Sequence, residues 1–179
     1  QGIYVSGNYA YVTKSTLGVT GQFFIYDISS PSSIATTSTT NLGAQSNTVY
    51  VAGRYAYVGR NDGSGNDFKI FDISNPSSPV EIGGADPGSA GVRDLYVSGR
   101  YAYVVHNNIA GNDFHIYDIS NPTNPIEVGG ADLGVNGVEI YVSGRYAYLI
   151  TTVNPSGNEF RIFDISNPAS PIGVGGVDL

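Results

Sequence analysis

The chain has 179 residues, with 8 Lys or Arg against 15 Asp or Glu, and therefore a net charge of -7. Charged residues make up 13% of it, about half of the roughly 25% that is usual for a soluble domain. So few basic residues provide no cationic surface for phosphates or anionic lipid, which argues against nucleic-acid binding. No apolar run approaches the roughly 20 residues that cross a bilayer as a helix. We therefore expect a soluble globular fold with no membrane span.

The chain lacks both Cys and Met. Without Cys there are no disulfides, no thiolate catalysis and no Cys-ligated zinc or iron–sulfur sites, and the redox compartment is left open. Because a translated reading frame starts with Met, we expect the chain to be a processed or excised piece of a longer protein.

In chain order, the first segment to stand out is YVSGNYAYV at residues 4–12, which returns in similar form at 50–58, 96–104 and 141–149. Its turn glycines are Gly7, Gly53, Gly99 and Gly144. A second segment, (F/Y)DIS, follows in each copy, and its aspartates are Asp27, Asp72, Asp118 and Asp164. Spacings of 45 and 46 residues indicate a repeat architecture. We predict four blades, at about 1–46, 47–92, 93–137 and 138–179.

The third copy shows the elements that we expect in every blade. Leu95–Val97 is a short strand that ends at a Ser-Gly turn, and 100–104 is a second strand with both of its tyrosines on one face. A third strand covers 114–119 and ends at SNPTNP, where two prolines enforce a turn. The fourth strand, 126–128, is predicted to end at a Gly-Gly pair.

Four short antiparallel strands in each repeat, with no helical periodicity, are typical of a β-propeller blade. The predicted fold class is therefore all-β, a β-propeller built from four four-stranded antiparallel blades of about 45 residues. A β-solenoid usually has a shorter repeat, and a β-sandwich has no repeat at all.

The blocks GRYAYV at 53–58 and 99–104, FKIFDISNPSSPV at 68–80 and FRIFDISNPASPI at 160–172 resemble the LVIVD repeat of bacterial and archaeal proteins. The resemblance covers essentially the whole chain. It implies an exported, often cell-surface, propeller of several blades, and it brings no shared catalytic residues. The first copy departs most, with Asn8 in the arginine column and Ile34 in place of the second proline. Atypical copies are expected where a repeat array ends.

The copies begin at an innermost strand and end after an outermost strand, so no strand is left over to join the first blade to the last. Propellers usually have four to eight blades, and an open arc exposes two apolar faces. Three outcomes remain open: a self-closed ring of four, a second copy that completes eight blades, or further blades in a longer chain. The resemblance favours the last two.

Binding residues commonly lie on variable loops that a rigid scaffold holds. In this chain the loops between the second and third strands, and those between blades, vary most. Their most polar residues, which are the candidate binding residues, are Arg60, Asp62, Arg93, Asp94, His106 and Glu139. The alternative is that these are ordinary solvated loop residues.

The repeated aspartates and turn glycines are assigned structural roles, because a carboxylate at the end of a strand can accept N–H groups of the following turn. Arg54, Arg100 and Arg145 form one column that can pair with these aspartates. His115 is interpreted as a strand residue, and neither histidine has a His or Cys neighbour at metal-ligand spacing. We therefore predict no metal, no cofactor and no catalytic residue.

The leading hypothesis is a non-enzymatic scaffold, a structural or protein-interaction module of an extracellular or cell-surface protein. Its expected partners are another protein or further propeller blades. A carbohydrate-binding propeller is the alternative, although the tyrosines are expected to be buried. A hydrolase is third, since only Asp94 and Glu139 are placed to converge on the channel rim.

Overall fold

The computed structural model describes residues 1–16, 22–61, 65–88, 91–107, 111–153 and 157–179. These residues form sixteen strands and no helix, so no described helix is available to cross a bilayer. The strands are β1 (Ile3–Ser6), β2 (Tyr9–Thr13), β3 (Phe23–Asp27), β4 (Ala35–Thr40), β5 (Ser46–Ala52), β6 (Tyr55–Arg60), β7 (Phe68–Asp72), β8 (Val80–Ala85), β9 (Val92–Ser98), β10 (Tyr101–His106), β11 (Phe114–Asp118), β12 (Ile126–Ala131), β13 (Gly137–Ser143), β14 (Tyr146–Thr151), β15 (Phe160–Asp164) and β16 (Ile172–Val177).

Each consecutive set of four strands forms one antiparallel sheet, which we call blades 1 to 4 in chain order. The all-β propeller architecture predicted from the repeats is thereby confirmed. The first hairpin of every blade turns at a glycine in the left-handed region, with φ values of 56°, 59°, 59° and 60° at Gly7, Gly53, Gly99 and Gly144. A side chain strains this conformation, which is why glycine occupies the turn.

The inner strands begin one residue earlier than the predicted blade boundaries. Ser46, Val92 and Gly137, placed at the ends of blades 1 to 3 from the sequence, are the first residues of β5, β9 and β13. They pair with Arg60, His106 and Thr151 beyond a shift in strand register. Such a bulge lets the strand pair one residue further along. The repeat pattern in the sequence does not predict this extra pair.

The fourth strand does not stop at the Gly-Gly pair, so that prediction was wrong. In blade 3, β12 continues through Gly129 and Gly130 to Ala131. A Cβ at Gly129 would collide with the carbonyl oxygen of Pro168 in blade 4, and one at Gly130 with the carbonyl oxygen of Phe114. The glycines allow two backbones to approach closely, which is a role that glycine also plays inside strands.

The hydrophobic core lies between the blades rather than within them. At each interface, one face of a blade packs against the opposite face of the next blade. Blades 3 and 4 illustrate this, because Phe114 and Ile116 of blade 3 pack against Ile140, Leu149 and Phe163 of blade 4. Two equivalent clusters join blade 1 to blade 2 and blade 2 to blade 3. Three interfaces therefore contain nearly all of the buried apolar side chains.

The two outer faces of this array have no neighbouring blade. Ile3 of blade 1 is 69% exposed, whereas Val49, Leu95 and Ile140 in the same column are 5%, 3% and 5% exposed. On blade 4, Tyr141 is 59% exposed, while the corresponding tyrosines of the other blades are half-buried. The four blades form an array with one apolar face open at each end.

Replacing a residue in an interface between blades is expected to be costly. Leu95→Ala removes a side chain that is 3% exposed and should lower the free energy of unfolding by about 3 kcal/mol, since the cavity only partly collapses. Ile126→Ala is the control, because Ile126 is 58% exposed and its loss should cost less than about 1 kcal/mol. Urea unfolding of both variants measures the difference; equal losses would place the core elsewhere.

Candidate functional site

A cavity lies along the inner strands, where a propeller has its channel. Its volume is about 590 Å³, and inner-strand residues of all four blades line it. The polar side chains at its wall are Gln1, Asn47, Thr48, Arg93, Asp94 and Glu139. Three of the predicted binding residues thus lie together, and all three belong to the starts of β9 and β13.

Asp94 joins three blades. Its Oδ1 accepts a hydrogen bond from Thr48 Oγ1 of blade 2 at 2.7 Å, and its Oδ2 accepts one from the Ile140 N–H of blade 4 at 3.0 Å. Burial raises the pKa of Asp94, while these hydrogen bonds act in the opposite direction. The carboxylate is therefore engaged on both oxygens in holding neighbouring inner strands in register.

The remaining predicted binding residues are distributed differently. Arg93 and Glu139 are exposed at the cavity wall. Arg60 and His106 are buried, with 2% and 0% exposure. Asp62 lies outside the described residues. The cavity therefore contains one carboxylate engaged between blades, one exposed carboxylate and one exposed guanidinium.

A side chain just before the third strand fastens the segment that follows the fourth strand of the same blade. Gln22, Asp113 and Glu159 accept the backbone N–H groups of Leu42, Leu133 and Leu179, at 2.7, 3.2 and 3.1 Å respectively. These acceptors occupy equivalent positions in blades 1, 3 and 4. They are largely buried, so they contribute to the joints between blades.

Blade 2 has Asp67 at the equivalent position and pairs it differently. The residue that corresponds to the three leucines is Pro87, which has no N–H to donate. Arg60 instead forms an ion pair with Asp67 at 3.1 Å and donates to the Leu42 carbonyl at 2.6 Å. The buried guanidinium thus ties blade 2 to the linker that precedes it, which is a structural role.

The two histidines, which the sequence treats separately, form a buried pair in blade 3. His106 on β10 and His115 on β11 bring their Nε2 atoms within 2.8 Å. The ring centroids are 4.8 Å apart, so each ring directs its Nε2 toward the other. Because Val104 pairs with His115 across the strands, His106 is the diagonal neighbour on the same face. The strand register, once known, reveals this pair.

The partners of the other ring nitrogens locate the protons. His106 Nδ1 lies 2.5 Å from the Asn107 carbonyl oxygen, and His115 Nδ1 lies 2.8 Å from a carboxylate oxygen of Glu127. Since both oxygens are acceptors, both Nδ1 atoms donate. The two Nε2 atoms therefore face each other in the interior of blade 3, with the Glu127 carboxylate beside His115.

The repeated aspartates make the turn contacts assigned to them from the sequence. Asp27, Asp72, Asp118 and Asp164 accept the N–H of the serine two residues later, at 2.8 to 2.9 Å. The last three also pair with Arg54, Arg100 and Arg145, whose guanidinium groups lie over the adjacent tyrosine rings. Arg54 lowers the pKa of Asp72 to about 2.

Within the part of the chain that the structure describes, no three His, Cys, Asp or Glu side chains are grouped so that they could hold a metal ion. One tyrosine column is packed between blades, since Tyr11, Tyr57 and Tyr103 are each 4% exposed, whereas Tyr4, Tyr50 and Tyr96 are half-buried at the cavity wall. The arrangement as a whole uses its carboxylates and cations to join strands and blades.

Comparison with known proteins identifies the repeat. The family model described as the LVIVD repeat matches residues 1–41, 43–86, 88–132 and 136–178, one match for each blade. No curated protein matches the chain in sequence.

Three solved structures share the fold at low sequence identity. The periplasmic gluconolactonase of Pseudomonas aeruginosa is 15% identical, with a TM-score of 0.78. The superposition covers 99% of this chain and 56% of the gluconolactonase chain. The computationally designed protein Ika8 is 11% identical with a TM-score of 0.72, covering 98% and 48%. Ika4, also designed, is 10% identical with a TM-score of 0.66, covering 97% and 90%. The chain therefore spans about half the length of the first two.

The histidine pair should make stability depend on pH. Burial, the largest cause, lowers the pKa of His106 below its ordinary value, and the charge of His115 acts in the same direction, against smaller opposing effects that include the Asn107 carbonyl and Asp113. The unfolded chain, with a His pKa of about 6.5, then binds more protons than the folded one. This contribution is present above about pH 6.5 and is lost as the pH falls below it.

Thermal unfolding between pH 8 and pH 5 tests this effect. The melting temperature of the native chain should fall toward pH 5, and that of His106→Gln, which has no proton to gain at this position, should fall less. The raised pKa of Asp94 increases the stability as the pH falls, but Asp94 is present in both proteins, so its effect cancels in the comparison. Identical pH profiles for the two proteins would remove His106 as the cause.

Proposed function

The chain belongs to the LVIVD repeat family, and we propose that it is a non-enzymatic propeller scaffold, a structural or protein-interaction module of an exported or cell-surface protein. The observation that supports this most is the use of the polar side chains. Asp94 joins three inner strands, and Arg60 joins a blade to its linker. A side chain that is committed in this way is poorly placed to move protons or attack a substrate.

The carbohydrate-binding alternative finds less support. Aromatic side chains that bind sugars must present a free ring face, whereas Tyr57 and Tyr103 are 4% exposed between blades. The tyrosines at the cavity wall, Tyr4, Tyr50 and Tyr96, pack ring against ring at 4.8 and 4.9 Å. The hydrolase alternative depends on Asp94 and Glu139 acting together. Asp94 already accepts two hydrogen bonds, which leaves Glu139 as the exposed carboxylate at the cavity wall.

The interaction surfaces of the proposed scaffold are its two open ends. Ile3 and Val5 on blade 1 are 69% and 56% exposed, and Tyr141 on blade 4 is 59% exposed. Stable monomers rarely expose large contiguous apolar patches. Since the same columns are covered by a neighbouring blade inside the array, the partner that fits these ends is a further propeller blade.

A lactone-hydrolysis assay tests the absence of catalysis. The gluconolactonase has a similar fold, so glucono-δ-lactone is the most demanding substrate to choose. We expect the native chain to hydrolyse it no faster than the double variant Asp94→Asn/Glu139→Gln, because neither carboxylate acts on a substrate. Hydrolysis is followed by pH-stat titration at neutral pH, with calcium both present and absent.

The comparison with the double variant corrects for the spontaneous opening of the lactone. Turnover that is at least about tenfold above the double variant would contradict the non-enzymatic proposal and would favour the hydrolase alternative. Circular dichroism of both proteins ensures that the variant retains its β-structure, since Asp94 also joins blades.

A further inference from the structure

We propose that the partner of the open ends is a second copy of this chain, and that two copies close head to tail into a ring of eight blades. This inference rests on the proposed scaffold function and names its partner. In such a ring, blade 4 of each copy packs against blade 1 of the other. The contact is heterologous, and it repeats twice around a twofold axis.

The open face of blade 4 repeats the face with which blade 3 holds blade 4. Its aromatic and aliphatic residues Tyr148, Phe160 and Ile162 are half-buried, whereas Tyr103, Phe114 and Ile116 in blade 3 are 4%, 0% and 0% exposed. The difference arises only from the missing neighbour. The face therefore has the composition of a blade interface without its partner.

The open face of blade 1 repeats the opposite side of the same interface. Ile3 and Val5 occupy the columns of Ile140 and Val142, which are buried against blade 3. They are 69% and 56% exposed against 5% and 4% for the blade 4 residues. Blade 1 of one copy can therefore pack against blade 4 of the other with the same face that blade 4 uses against blade 3.

A glycine on β16 provides the most specific complement. Inside the array, a Cβ at Gly83 or Gly129 would collide with the turn of the next blade, at the carbonyl oxygens of Pro122 and Pro168. Gly175 occupies the same column, yet a Cβ there meets nothing within 4 Å. The backbone at Gly175 is therefore open to receive the turn of a following blade.

Blade 1 carries that turn. Its segment 30–34 lacks the Asn and the second Pro of the other copies, but it keeps Pro31 and the same backbone hydrogen bond. The bond from Ser33 N–H to the Ser30 carbonyl measures 2.9 Å, and its equivalent at Ser170 and Asn167 measures 3.0 Å. The Pro31 carbonyl of a second copy can therefore meet Gly175 as Pro168 meets Gly129.

The tyrosine ladder of the inner strands continues across the proposed contact. Tyr4, Tyr50, Tyr96 and Tyr141 form this ladder, with ring centroids 4.8, 4.9 and 5.0 Å apart. Tyr141 ends it and is 59% exposed, and Tyr4 of a second copy extends it.

Light scattering coupled to size exclusion tests the inference. The native chain should give a concentration-independent mass near twice 18.8 kDa. Gly175→Val should weaken self-association by about tenfold or more, because the added side chain overpacks the contact. Gly173→Val is the matched control: its Cβ meets only Phe163, at 3.7 and 3.9 Å, and should leave the dimer intact.

A variant on the other face makes the test independent of the fold of one mutant. Val5→Asp should likewise weaken self-association by about tenfold or more, because it places a charge in the apolar contact. Mixing Val5→Asp with Gly175→Val should restore a heterodimer, because one of its two interfaces then joins two unaltered faces. A dimer in which each face contacts its own copy does not have such an interface.

A native monomer at every concentration would overturn the inference, and so would a dimer that Gly175→Val leaves intact. Failure of the mixed variants to associate would equally exclude head-to-tail closure. None of these results bears on catalysis, which the lactone assay decides separately.

Discussion

The structure depends on burial of apolar side chains between sheets. A four-stranded sheet of this length has two faces and no interior, so each blade needs a neighbour on both sides to remove its aromatic and branched residues from water. Ile25, Ile70 and Ile116 are each fully buried because a following blade covers them, whereas Ile162 is only half-buried. The same requirement shapes the turns, since a glycine such as Gly129 lets the neighbouring blade approach the backbone.

The charged residues, few as they are, serve this packing. The Arg–Asp pairs hold the end of each third strand to its hairpin in blades 2 to 4, and the buried acceptors hold the linkers between blades. Substituting one of these acceptors leaves a buried N–H without a partner, which is costly. These polar groups therefore hold strands and linkers together, and Arg60 makes such a contact when it ties blade 2 to the linker that precedes it.

The sequence was sufficient for the architecture and for those contacts that recur in every repeat. Gly99 marks a turn by its required conformation, and Asp118 marks the end of a strand by its turn contact. Contacts that occur once were missed, because the repeat provides no comparison for them. The His106–His115 pair depends on a diagonal contact between β10 and β11, which becomes visible only when the register of Val104 is known. The burial of Arg60 was missed for a similar reason, since its partner lies in a linker.

The claim that stability resides between blades is tested most directly by a single blade in isolation. A fragment covering residues 46–87 contains all four strands of blade 2 but neither of its neighbours. The account predicts that this fragment is unfolded, with no cooperative melting by circular dichroism and no dispersion of its amide resonances, while the four-blade chain melts cooperatively. A fragment that folds into a stable sheet with a cooperative transition would contradict the account.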